Sequence, residues 1–133
     1  MPLFLNSLTA GLLAAGLSYI LNKISLPRIK DSIYLVTPVI EESAKTFFAL
    51  GLGGSVFFTH GIFGLIEGVY DLFPFEIKKR RVFLVSFLTH LFFGFLTWVV
   101  YIYFISWIFA VVLVSALHIL WNYLIIKIVR TNN

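Results

Sequence analysis

Long apolar runs, broken at short intervals by turn residues and basic clusters, divide this chain. The first run extends roughly from Pro2 to Asn22, the second from about Ile33 to Leu52, and the third from about Ser55 to Phe73. A fourth, from Val82 to Val129, carries Lys127 as its sole charge. At ~20 residues per membrane span, that last run is too long for one helix and suits two. The turn between them is expected near Tyr103 to Trp107, where Tyr101, Tyr103 and Trp107 suit a membrane interface. Gly51, Gly53 and Gly54 mark a short turn between the second and third runs. Backbone groups in lipid must be satisfied within their own segment, so long apolar runs become helices. The pattern predicts an all-α, polytopic membrane helix bundle of about five transmembrane helices. It forms one integral membrane domain over 1–133, with the first span and a basic loop in 1–32 and four spans in 33–129. Pro38, three residues before Glu41, is expected to bend or loosen the second helix.

Composition agrees with this class. The chain has 133 residues, of which 60% are hydrophobic and 12% charged, with a mean hydropathy of +0.99. Soluble domains are about 25% charged. No cysteine is present, which excludes disulfides, cysteine metal sites and cysteine-protease chemistry. The N-terminal stretch MPLFLNSLTAGLLAAGLSYILNK lacks a basic leader region, so it reads as the first span rather than a cleaved signal.

The net charge of +4 invites a nucleic-acid reading, but the positions of the basic residues give a topological one. Lys23, Arg28 and Lys30 follow the first run, Lys78 to Arg81 follow the third, and Lys127 and Arg130 close the last. Basic loops face the cytoplasm. All three groups then agree on an N-terminus outside and a C-terminus in the cytoplasm, in the cell membrane. KKRR is expected to anchor at anionic lipid head groups, and no nucleic-acid partner is expected.

Six polar residues interrupt the apolar runs: Glu41, Glu42, Glu67, His90, His118 and Asn122. An ionisable side chain at bilayer depth costs at least ~2.5–3.5 kcal/mol on insertion scales, so such residues usually face a bundle interior or a watery cavity. With basic loops as reference, Glu41, Glu67, His90 and His118 all fall ~10–14 Å below the cytoplasmic surface, at ~1.5 Å of rise per residue. A shared depth predicts one site, and the four are expected to face one another rather than lipid.

Lys45 can pair with Glu41 at four residues or with Glu42 at three. Glu41 and Glu42 point ~100° apart, so one of them is expected to face the cavity centre. Glu67 has no basic partner within one turn and needs one from another span, with His90 or His118 the candidates. His118 and Asn122 share a helix face and offer two donors to a developing oxyanion. His60 reads as a polar interface residue nearer the outside. The plainer alternatives are an ion pair that fixes helix register and histidines that only pack and hydrogen-bond.

EExxK at Glu41 to Lys45, FxxxE at Phe63 to Glu67, His90 alone and HxxxN at His118 to Asn122, in that order on successive spans, resemble the PrsW-type intramembrane proteases. These belong with the type II CAAX prenyl proteases and the bacteriocin-immunity (Abi) proteins. The resemblance covers about Pro38 to Ile126. The CAAX relatives usually have Arg one position after this Lys, and His where Glu67 stands, so both departures favour the PrsW branch.

The resemblance implies a four-helix catalytic core and a glutamic intramembrane peptidase. Glu41 would activate water, with Glu67 or His90 positioning it, and His118 and Asn122 would stabilise the oxyanion. Glu42 and Lys45 would orient Glu41. The substrate would be a membrane-anchored polypeptide in the lipid bilayer, with no cofactor and no metal. A zinc-dependent version, a non-catalytic assembly subunit and a proton-coupled transporter component stay open beside it.

Overall fold

Small residues at helical spacing decide which face of the first helix turns inward. α1 (Leu3–Ser25) buries Ser7, Ala10, Gly11, Ala14 and Ser18, while Leu12, Leu13, Leu17 and Ile20 point outward. This is the arrangement expected where the solvent is hydrocarbon. Lipid tails solvate leucine as well as a protein core does, and close helix approach needs small side chains. The computed structural model describes residues 2–29, 31–73 and 80–131, and every regular element among them is helical.

Asp31, with φ of 60°, leads into the one-turn α2 (Ser32–Leu35), whose Ser32 hydroxyl lies 3.1 Å from that of Ser25. α3 (Thr37–Gly51) follows directly, with Pro38 in its first turn. Proline has no N–H to donate and its fixed φ suits a helix start. The expectation of one helix bent at Pro38 is therefore corrected: the proline begins α3, and the break falls before it, at Val36.

Gly53, at φ +66°, helps reverse the chain after α3, and the Gly54 N–H donates to the Ala49 carbonyl at 2.8 Å. Ser55 caps α4 (Val56–Asp71): its hydroxyl accepts from the Phe58 N–H at 3.4 Å, and its own N–H donates to Ser7 Oγ at 2.9 Å. α5 (Arg80–Phe104) and α6 (Trp107–Thr131) are joined at Ile105 and Ser106, inside the expected window. Tyr101 and Trp107 stack across that turn, with ring centroids 3.6 Å apart.

α1 packs on α3 and α4, α4 packs on α5, and α6 packs on both α5 and α3. α3 also meets α4, which closes the bundle. Three helices, α1, α5 and α6, are long and apolar enough to cross a membrane, which is compatible with a membrane-embedded protein. α3 and α4 have 15 and 16 residues. At ~1.5 Å per residue they reach ~22–24 Å, short of the ~30 Å hydrocarbon core. Among the described residues, three helices thus have the length of a full span, and α3 and α4 are shorter. Of the expected loop PFEIKKRR, residues 74–79 lie outside the described residues, while Arg80 and Arg81 open α5.

Candidate active site

Close helix approach sets up the site. A Cβ on Gly64 of α4 would stand 2.7 Å from the Cβ of His90 on α5, and a Cβ on Gly94 of α5 would stand 2.7 Å from the Cβ of His60 on α4. Each glycine thus makes room for a histidine of the opposite helix. The apolar cluster beside them is small, built on Ala14, Ala44 and Phe63. The three largest fully buried side chains of the bundle, Lys45, His60 and Glu42, are polar and 0% exposed.

Glu42 is the hub. Its Oε1 lies 2.6 Å from Lys45 Nζ and 2.9 Å from His118 Nδ1, and its Oε2 lies 2.9 Å from His60 Nε2. One carboxylate on α3 therefore ties together α3, α4 and α6. An ammonium this deep needs compensation on every side. Lys45 finds it in Glu42, in His90 Nδ1 at 3.0 Å and in the Phe63 ring face, 4.6 Å from its centroid.

Donor counting assigns the tautomers. Lys45 only donates, so His90 Nδ1 accepts, and its Nε2–H donates to Glu67 Oε2 at 2.5 Å. His60 Nδ1–H donates to the Val56 carbonyl at 2.8 Å, so its contact with Glu42 requires a further proton shared between them. His118 Nδ1–H donates to Glu42, which leaves Nε2 without a hydrogen bond among the described residues.

Glu67 holds the mouth of the cluster. Its side chain is 36% exposed, and its Oε2 also accepts from Ser86 Oγ at 2.8 Å. Glu41 faces it, buried, with one hydrogen bond from Asn22 Nδ2 at 3.3 Å. Single ligand atoms of Glu41, Glu67 and His90 lie within 4.8 Å of one another. Groups up to 4.8 Å apart fall within the span that one water, ~2.8 Å from each, bridges.

The same three donors have the chemistry of a zinc site. A metal would need the lone pair of His90 Nε2, which carries the proton given to Glu67. Holding an ion therefore requires breaking that hydrogen bond or moving the proton.

The structure thus brings Glu41, Glu42, Glu67, His90 and His118 into one cluster, with the His90 and His118 ring centroids 5.4 Å apart. Asn122, half-buried one turn beyond His118, makes no hydrogen bond with these residues. The reading of Lys45 as a partner of Glu41 or Glu42 resolves in favour of Glu42. The expectation that Glu42 serves Glu41 gives way to one in which Glu42 binds His60, Lys45 and His118. His60 is a full member of the cluster rather than a peripheral residue. Asn22 and Ser86 also touch it and were not legible as site residues in the sequence. No protein-family model, curated protein or solved structure matches this chain.

Proposed function

We propose that this chain is an intramembrane peptidase in which Glu41 activates a water to hydrolyse a peptide bond of a membrane-anchored polypeptide. The observation that carries the reading is the triangle of Glu41, Glu67 and His90, whose ligand atoms lie within 4.8 Å of one another inside a largely apolar bundle. Glu41 takes a proton from the water as its oxygen adds to the peptide carbonyl. Glu67, held by His90 and Ser86, fixes the water from the other side. Asn122 Nδ2 offers a donor to the oxyanion from the helix face it shares with His118, and Glu42 grips the His118 ring beside it. Collapse of the tetrahedral adduct breaks the C–N bond, and Glu41 returns its proton to the departing amine. In this reading α3 and α4 lie in the membrane beside the three longer helices, giving five segments with the N-terminus outside. The order of the EExxK, FxxxE, His and HxxxN motifs, which resembles the PrsW branch, supports the same assignment.

The test compares new N-termini in membranes carrying wild type, Glu41→Gln or His118→Ala at equal accumulation. Fragments are expected with wild type alone, and identical profiles in all three would overturn the proposal.

The donor set at Glu41, Glu67 and His90 favours one second reading, a metal-assisted hydrolysis. A resident zinc would polarise the carbonyl and supply a more acidic water. Loss of the same fragments in chelator, with recovery on added zinc, selects that version. Fragments indifferent to chelator select the metal-free one.

A further inference from the structure

The last turns of α1 reach the site from outside the four motif-bearing helices. The buried face of α1 includes Ser7, Gly11, Ala14, Ser18 and Ser25, and Asn22 falls in line with it, one turn after Ser18. Its side chain meets α3 there, with Nδ2 at 3.3 Å from Glu41 Oε1. A carboxylate only accepts, so the amide nitrogen of Asn22, and not its oxygen, faces Glu41.

The backbone that carries Asn22 is itself held. Ser32 Oγ donates to Ser25 Oγ at 3.1 Å, and Ser25 Oγ donates to the Asn22 carbonyl at 3.3 Å. The Leu26 N–H donates to the same carbonyl at 2.9 Å. Ser25 and Ser32 are buried, and α2, which carries Ser32, leads directly into α3. The turn that presents Asn22 is therefore tied to the start of the helix that presents Glu41. A group supported in this way keeps its partner in a narrow range of geometry.

Glu41 needs such support. Ligand atoms of Glu41 and Glu67 lie within 4.8 Å of each other, and like charges at that range repel. Glu42 is clamped by Lys45, His60 and His118, whereas Glu41 accepts from Asn22 alone among the described residues. With Oε1 engaged, Oε2 is the oxygen left for a water. We infer that Asn22 is a positioning residue of the proposed peptidase: it holds Glu41 by Oε1 against the repulsion of Glu67, and so presents Oε2 to the water. The motifs lie between Glu41 and Asn122, so α1 supplies a residue that they do not contain. The role in hydrolysis rests on the peptidase reading, while the contact between Asn22 and Glu41 does not.

The experiment reads the contact and the role separately, on the purified full chain. In micelles, with heavy-nitrogen-labelled asparagine, the side-chain amide signals of Asn22 are identified by their loss in Asn22→Leu. Glu41→Gln is expected to move them further than it moves the signals of Asn6, at the other end of α1. In liposomes, with extracted membrane polypeptides as probe, Asn22→Leu keeps the size and removes the donor. It is expected to slow the appearance of new N-termini by about 10- to 100-fold, the scale of a misplaced reacting group. Asn22→Gln, which keeps the amide on a longer stem, is expected to recover most of the rate. Asn22→Ala replaces Asn22→Leu if the latter fails to accumulate.

Asn22 signals indifferent to Glu41→Gln, or a full rate in Asn22→Leu, would overturn the inference. Rates that merely follow unfolding temperature across the variants, with no recovery in Asn22→Gln, would mark a structural role and overturn it as well. Moved Asn22 signals in a chain that cleaves nothing as wild type would remove the peptidase reading and the role with it, and keep only the contact. Cleavage by wild type with unmoved signals would do the reverse.

Discussion

Glu41 and Glu42 are neighbours in sequence and opposites in surroundings. Glu42 accepts from groups on three helices and is fully buried, whereas Glu41 has one long hydrogen bond from Asn22 and looks toward Glu67. Glu42→Ala leaves Lys45, His60 and His118 without their common partner. Removing one member of a buried pair costs ~3–5 kcal/mol, and thermal unfolding in micelles should register a loss of that order. Glu41→Gln should unfold at the wild-type temperature while losing hydrolysis, and equal destabilisation by the two variants would contradict this division of roles. At this scale the sequence was partly legible. Shared depth was enough to group Glu41, Glu67, His90 and His118. It missed His60 because seven residues separate it from Glu67, ~10 Å along α4. The polar network extends that far along the helix, since Glu42 and Lys45 on α3 bridge its length. The choice of Glu42 over Glu41 for Lys45 depends on helix rotation, which two allowed spacings leave open.

Helix ends follow rules that local sequence states openly. Ser55 caps α4, glycines turn the chain after α3, and the α5–α6 turn falls among aromatic residues as expected. Pro38 was the exception, because a proline inside an apolar run reads as a kink until the preceding break at Val36 is known. Packing between elements was less legible, since nothing in the word FGLIEG says which helix approaches Gly64. The structure makes that approach specific: a methyl group at Gly64 meets His90, whereas one at Gly16 on α1 meets nothing within 4 Å. Gly64→Ala should therefore separate α4 from α5 at a cost of ~1–3 kcal/mol, as overpacking does, with a fall in hydrolysis. Gly16→Ala should be neutral or stabilising by up to ~1 kcal/mol, the helix propensity gain. Unfolding midpoints of the two variants give the comparison, and equal midpoints would contradict the close approach.

The whole molecule combines three long apolar helices with the shorter α3 and α4, and α3 carries the buried charges Glu41, Glu42 and Lys45. α3 and α4 bring Glu41, Glu42, Lys45, His60 and Glu67, while α5 and α6 bring His90 and His118. All-helical architecture was legible because lipid permits little else. Helix lengths were less legible, because composition alone does not reveal that Ile33 to Leu52 divides into α2 and α3. Orientation is directly testable, since the chain has no cysteine of its own. In intact cells a membrane-impermeant maleimide should label Leu3→Cys and leave Arg81→Cys untouched until the membrane is opened; the opposite pattern would reverse the topology.

The central claim, hydrolysis by this chain through Glu41, is tested most directly with purified protein in liposomes, together with extracted membrane polypeptides and heavy-oxygen water. Wild type should generate new carboxyl termini carrying one heavy oxygen, and Glu41→Gln should generate none. Unlabelled termini with wild type, or equal labelling with both, would contradict it and favour an assembly subunit whose charged centre serves packing alone.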